Sequence, residues 1–143
     1  MGGAELLDQI EPLWLALREH HAALSPIWRK GLLQATFEAR RAELVAKSTG
    51  GMLVIVAGNA DDPAGYCVST IDDSGEGEID SLFVACAYRR RGIGRALVTQ
   101  SMNWLRAQGV GSIVVEVMAG NDEATRLYEQ FGFKTRTLRM RHV

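Results

Sequence analysis

Residues 88–97, Tyr-Arg-Arg-Arg-Gly-Ile-Gly-Arg-Ala-Leu, have the composition of an anion site. They follow the apolar run Ile79-Asp80-Ser81-Leu82-Phe83-Val84 and open an amphipathic segment from Ile93 to Gln108. A strand, a short basic loop with glycines and a helix start would place free N–H groups and a positive helix end together, where a phosphate binds well. Gly92 and Gly94 let the backbone approach phosphate oxygens with no Cβ in the way. Arg89, Arg90, Arg91 and Arg95 add charge and fork-shaped donors. A plain strand-to-helix turn with a solvated arginine face would read the same locally, so the choice depends on the flanking chain.

Three phosphate-binding patterns compete for this loop. The P-loop string Gly-x-x-x-x-Gly-Lys-Ser/Thr does not occur. The dinucleotide fingerprint begins with Gly92-Ile93-Gly94, and Glu116 stands at its acid's distance, but Leu97 occupies the third glycine position. Seven residues also separate Val84 from Gly92, too many for that tight turn. The third pattern, Arg/Gln-x-x-Gly-x-Gly/Ala after a strand, is matched by Arg89-Arg90-Arg91-Gly92-Ile93-Gly94.

On these residues the chain resembles the GNAT superfamily of acyl-CoA-dependent N-acyltransferases. Glu78 to Val84 resembles the family's fourth strand. Asn121-Asp122-Glu123-Ala124-Thr125-Arg126-Leu127-Tyr128-Glu129-Gln130-Phe131-Gly132-Phe133 resembles its Asn-x-x-Ala-x-x-Leu-Tyr-x-x-x-Gly-Phe segment. The resemblance implies that the loop Arg89, Arg90, Arg91, Gly92, Ile93, Gly94 and Arg95 binds the pyrophosphate of acetyl-CoA. It implies that the backbone of Leu82, Phe83 and Val84 pairs with the pantetheine arm and binds the oxyanion. The resemblance also implies that Asn121 is a cofactor residue, and its position makes it an N-cap for its helix. Tyr128 is the family's usual acid, protonating the departing thiolate. Two features depart from the family: Met1-Gly2-Gly3-Ala4 leaves little room for a first strand, and only one strand fits after the last helix.

Acyl transfer to an amine needs a neutral nucleophile, a stabilised oxyanion and a protonated leaving group. A lysine-like amine has a pKa of about 10.4, so only about one in 10³ is neutral at pH 7, a deficit of roughly 4–5 kcal/mol. Glu78 matches the position of a catalytic glutamate in some family members, and Asp80 shares its strand face two residues along. Glu78 lies about 20 Å along the strand from Val84 at about 3.3 Å per residue, so a water relay or an electrostatic role suits it better than direct abstraction. Which of Glu78, Asp80 and water is the base stays open, and both acids could equally occupy a solvated strand face. His20-His21 ends the first helix on the side where the family admits the acceptor, and a dipole-stabilised capping role fits it as well. Trp14, Trp28, Phe37 and Trp104 read as core; Cys86 has nothing beside it in sequence that argues for a nucleophile.

The elements that position these residues follow from periodicity. Ala4 to Leu24 reads as helix, with Leu6, Leu7, Ile10, Leu13, Trp14 and Leu17 at helical spacing, broken by Ser25-Pro26. Ile27 to Lys47 reads as a second helix ending at Ser48-Thr49-Gly50-Gly51. Met52–Ala57, Gly65–Ile71 and Glu76–Val84 form an antiparallel meander joined by short turns. A helix to Gln108, a strand Ser112–Met118, a helix Asn121–Gln130 and a last strand Phe133–Arg141 complete the order α-α-β-β-β-α-β-α-β. The expected fold is α/β (α+β), a mixed, mostly antiparallel sheet flanked by helices in one domain over residues 1–143.

Composition sets the outer bounds. The chain has 143 residues, 47% hydrophobic and 23% charged, with a net charge of −1. That balance argues against a general nucleic-acid binder, and no apolar run reaches transmembrane length. Cys67 and Cys86 form no metal-ligand spacing and no disulfide framework, so no metal is expected. The resulting expectation is a cytoplasmic acetyl-CoA-dependent N-acetyltransferase. Its acceptor is a small-molecule primary amine, with a peptide or protein as an alternative. A non-catalytic acyl-CoA-binding module is the competing class, and a homodimer would cover the sheet edge left by a lone terminal strand.

Overall fold

A computed structural model describes all residues, Met1–Val143. A 3-10 segment, Ala4–Ile10, leads into α1 (Glu11–Leu24). A short 3-10 turn, Pro26–Trp28, then precedes α2 (Arg29–Gln34) and α3 (Phe37–Lys47). The sheet is β1 (Gly51–Asn59), β2 (Asp62–Ile71), β3 (Glu76–Val84) and β4 (Ser112–Val115), in that order. Helices α4 (Ile93–Ala107) and α5 (Asp122–Glu129) flank β4 in sequence. Strands β1, β2 and β3 pair antiparallel, and β4 joins β3 in parallel, as the βαβ crossover through α4 requires. No helix is long and apolar enough to cross a membrane.

The sheet separates two cores. On one face, Leu7, Ile10, Leu13, Trp14, Leu17, Phe37 and Leu44 pack on Val54, Tyr66, Val68 and Phe83. On the other, Leu97, Val98, Met102, Leu105 and Tyr128 pack on Leu53, Ile55, Cys67, Ile71 and Ile79. Helices α1 and α3 therefore cover one face, and α4 and α5 the other.

Several expected elements are altered. The first helix is α-helical only from Glu11, because Pro12 near its start has no N–H for an i→i−4 bond. The second helix divides at Ala35-Thr36, where Ala35 is extended and the Thr36 hydroxyl accepts from Ala39 N at 3.2 Å to cap α3. Strand β4 stops at Val115 rather than Met118. Residues 133–141 form no strand: Leu138 and Met140 are 81% and 92% exposed, so the alternation has no face to bury. The outer edge of the sheet is therefore β4. A remnant of a first strand is present, since Gly2 and Val54 exchange backbone bonds of 3.0 and 2.8 Å.

The turn after β4 is tied to the end of α1. The Ser25 hydroxyl donates to the Ala119 carbonyl, and Gly120, at φ +91°, lies so close that a Cβ would stand 2.6 Å from Leu24 O. Gly120→Ala is expected to cost about 2–4 kcal/mol in urea unfolding, combining left-handed strain with a backbone clash. An unchanged midpoint would show that this junction yields.

Candidate active site

Strands β3 and β4 part company halfway along. Their ladder runs from Glu76↔Ser112 to Ile79↔Val115 and stops. Beyond it, Ser81 to Val84 keep β2 on one side and have no strand on the other. The β2–β3 register also shifts, with Val68 opposite Ser81 but Ser69 opposite Ile79, so Asp80 is the extra residue of a bulge. The bulge changes which side chains face which core. Ile79, Leu82 and Val84 pack toward α4 and α5, whereas Phe83 joins the α1 face and the Ser81 hydroxyl meets Tyr66 there at 2.6 Å.

A groove of about 370 Å³ opens at this fork. Leu82, Phe83, Val84, Arg89, Arg90, Gly92, Ile93, Gly94, Arg95 and Asn121 all line it. Residues not singled out from the sequence complete the wall: Leu17 of α1, Tyr88, and Glu123, Ala124, Arg126, Leu127 and Gln130 on and beyond α5. The α5 residues follow from the cap: once Asn121 accepts from Ala124 N at 3.2 Å, Ala124 and Leu127 fall one turn apart on one face.

At one end the groove is built for anions. Gly92 caps α4 at φ +77°, and no side chain caps the helix. The first intrahelical bond runs from Ala96 N to Gly92 O, so the N–H groups of Ile93, Gly94 and Arg95 have no partner within the helix. A Cβ on Gly94 would meet only Leu127 and Val84, at 3.6 and 3.7 Å, so protein packing does not require glycine there. The arginines divide their work. Arg89 donates to Val84 O at 3.0 Å and lies 5.3 Å over the Phe83 ring, pinning the loop to β3. Arg91 stacks on Tyr88, whose hydroxyl donates to Asp62, and is not on the groove wall. Arg95 bonds Gln130 at 2.6 Å across the rim, leaving it and Arg90 as the cations beside the helix end.

The two acids singled out on β3 lie outside the groove. Lys47 of α3 bridges both, 2.5 Å from Asp80 and 3.1 Å from Glu78. Asp80 also accepts from the Thr70 hydroxyl at 2.7 Å, its carbonyl accepts from Arg40 at 3.0 Å, and its side chain has no exposure. These bonds hold the bulge. Burial works to lower the Lys47 pKa, but hydrogen bonds and attraction to Asp80 and Glu78 outweigh it and leave the ammonium above its usual value. Glu78 is pushed up by burial and by Asp80, with Lys47 opposing.

Glu116, considered in the sequence only as a dinucleotide acid, also lies off the groove wall, near the fork. It is the first residue past β4, at the point of parting. Ile113, Val115 and Val117 pack on the α4 core, so Glu116 alternates to the α1 face, where it is exposed and carries no ion pair. Tyr128 is 6% exposed within the α4–α5 core, edge-on to Phe133 at 5.7 Å, and is not on the groove wall. Burial pushes its pKa up. His20 lines the groove 6.1 Å from the Phe83 ring; burial and then Arg89 lower its pKa against the pull of Glu123. Cys67 is buried and Cys86 exposed, both as free thiols, and no cluster of ligating side chains could hold a metal.

Known proteins give this geometry a family. The acetyltransferase (GNAT) family model matches residues 14–133, so the chain belongs to that family. It is 42% identical over 52 residues to the ribosomal protein bS18-alanine N-acetyltransferase of Escherichia coli, covering 36% of this chain and 35% of that protein. It is 30% identical over 125 residues to the mycothiol acetyltransferase of Rhodococcus erythropolis, covering 82% of this chain and 41% of that one. The chain thus spans well under half the length of these relatives. The fold matches a mutant of the BH1408 protein of Bacillus halodurans with a TM-score of 0.73, at 18% identity over 99% of this chain and 96% of that one. It also matches AAC(6')-Iy, solved with the bisubstrate analog CoA-S-monomethyl-acetylneamine, with a TM-score of 0.59 at 18% identity, covering 88% and 91%.

Removing Lys47 and neutralising Glu78 should have opposite effects on stability. Lys47→Met leaves the buried Asp80 carboxylate without its cation and is expected to cost about 2 kcal/mol, below the range for fully buried pairs because Lys47 is 29% exposed. Glu78 binds its proton more tightly folded than unfolded, so its contribution is greatest below the ordinary carboxylate range and falls as pH rises through its raised pKa. Glu78→Gln should therefore equal or exceed the parent in urea midpoint at pH 7, with any advantage shrinking toward pH 4. A loss at pH 7 would mean that the Lys47 pairing outweighs the burial.

Proposed function

We propose that the chain is an N-acetyltransferase that passes the acetyl group of acetyl-CoA to a primary amine by direct attack in a ternary complex. One observation carries this reading. The groove passes through the sheet at the β3–β4 fork, with free helix N–H groups at one end and unpaired β3 backbone along its side. A phosphorylated donor with an extended, amide-bearing arm suits both features. A Cβ at Gly94 would meet no protein atom closer than 3.6 Å, so packing does not explain the glycine and close approach of a pyrophosphate would.

When bound, acetyl-CoA supplies an activated acyl carbon; the chain supplies placement and proton handling. The N–H groups of Ile93, Gly94 and Arg95, with Arg90 and Arg95 side chains, hold the phosphates. Backbone of Leu82, Phe83 and Val84 aligns the arm and offers N–H groups to the oxyanion. Asn121 fixes the start of α5 against the groove. The amine approaches from the α1 face, and Glu116 takes its proton there, since Glu78 and Asp80 are engaged by Lys47. Tyr128, kept protonated by burial, returns a proton to the thiolate. The fork suits a small-molecule amine or a peptide terminus equally, and we place the activity in the cytoplasm, in a single domain.

Gly94→Ala tests the donor site without touching the fold. It should hold or raise stability by up to about 1 kcal/mol through helix propensity, while calorimetry shows acetyl-CoA binding weakened at least about ten-fold by the added methyl. Unchanged affinity would move the donor elsewhere. In an amine-panel assay following release of CoA thiol, Glu116→Gln should lower kcat/KM by about 10²–10⁴ with acetyl-CoA affinity intact. Tyr128→Phe should lower kcat in the same assay. Full activity in either variant removes that residue from the mechanism, and binding without transfer to any amine would favour a non-catalytic acyl-CoA module.

A further inference from the structure

Two backbone bonds show which way β3 turns its N–H and C=O groups. At the start of the strand Asp72 N donates to Glu76 O at 3.0 Å, and just past its end Ala85 N donates to Ala64 O at 2.8 Å. Glu76 and Ala85 therefore both face β2. In an unbroken strand every second residue faces the same neighbour, yet these two stand an odd number of positions apart. The bulge at Asp80 accounts for the difference. Before it, Gly77 and Ile79 face β4; after it, Ser81 and Phe83 face β2, and Leu82 and Val84 face the open side of the fork. The bond from Arg89 to Val84 O, made away from β2, agrees. Without the bulge this order would reverse, and Ser81 to Val84 would also change faces of the sheet.

We propose that Asp80 is a positioning residue for acetyl transfer: held by Thr70, Lys47 and Arg40, it fixes the bulge and so makes Leu82 and Val84, rather than Ser81 and Phe83, the N–H donors that face the thioester. The inference rests on the acyl-CoA reading above. Asp80 is held from three sides. One carboxylate oxygen accepts from the Thr70 hydroxyl at 2.7 Å and the other from Lys47 at 2.5 Å, while its carbonyl accepts from Arg40 at 3.0 Å. The next residue is fixed as well, since the Ser81 hydroxyl pairs at 2.6 Å with that of Tyr66, which has no exposure. Thr70, Lys47 and Arg40 are all off the groove wall, so they act through the strand. An N–H aimed at developing charge speeds transfer only while its aim holds, and a small misplacement costs rate before it costs binding.

Amide exchange on the ligand-free full chain, read beside the amine-panel assay, tests this. In the parent, the amides of Leu82 and Val84 should exchange at least about ten-fold faster than those of Ser81 and Phe83. Thr70→Val keeps the side-chain shape and removes one bond to Asp80. It should narrow that difference to within about three-fold and lower kcat by about 10–10². Calorimetry should place its acetyl-CoA affinity within about three-fold of the parent, because the α4 end is untouched. Thr70→Ser, which returns the hydroxyl, should restore both exchange pattern and kcat, whereas a merely structural Thr70 would move the urea midpoint alone. Asp80→Asn, with the same expected outcome, decides the matter if Thr70→Val does not fold. Even exchange across Ser81 to Val84 in the parent, a parent-like exchange pattern or kcat in the folded variant, or a kcat that Thr70→Ser leaves low overturns the positioning role and leaves the donor site standing. So does a parent that binds acetyl-CoA but acetylates no amine of the panel. A parent that neither binds acetyl-CoA nor transfers from it overturns both.

Discussion

The parting of β3 from β4 after Ile79 and Val115 is the constraint on which the groove depends. Were the parallel ladder to continue to Val84, the backbone that lines the groove would be consumed by the sheet, and α1 and α5 would share no cavity. The bulge at Asp80 sets the geometry of β3 as it leaves β4, and a buried carboxylate holds that bulge. Asp80 is bonded to Lys47 and Thr70 through its two oxygens and to Arg40 through its carbonyl. Charge in this protein's sheet is therefore spent on backbone shape. Glu116, the carboxylate at the fork, carries no ion pair.

The same division runs through the basic loop. Four arginines in seven residues suggest a purely electrostatic clamp, but two of them are structural. Arg89 fastens the loop to β3, and Arg91 stacks with Tyr88 over the turn that carries Asp62. What remains facing the groove is a helix end with unpartnered N–H groups, flanked by Arg90 and Arg95. Fixed backbone donors cost no reorganisation when an anion arrives, whereas long side chains must be ordered first. Securing two arginines beforehand keeps those donors in place.

Much of this was legible in the sequence, and the illegible parts share a cause. The glycine loop, β3 and the Asn121–Gly132 helix are local patterns, and each forms where the pattern puts it. Asn121 caps its helix as its position suggests, and apart from the divided second helix the expected order of helices and strands holds through α5. The expected last strand fails because Leu138 and Met140 alternate with nothing to pack on; period alone cannot supply a partner. The division of the second helix at Thr36 was readable in principle, since a threonine before Phe37-Glu38-Ala39 is an N-cap signal. The fork itself was not. A register shift between Val68 and Ser69 depends on residues from α3 and β2 meeting Asp80, and no window of sequence contains them. That is why Glu78 and Asp80 read as two free acids on one strand, with no sign of the Lys47 that bridges them.

The central claim is that the N-terminus of α4 receives the phosphates of a CoA thioester, and backbone amide shifts report on it most directly. Titration with CoA should move the ¹H–¹⁵N resonances of Ile93, Gly94 and Arg95 strongly, while pantetheine, which lacks the pyrophosphate, should leave them nearly still. Equal shifts from both compounds, or CoA-induced shifts confined to residues away from this helix end, would contradict the account.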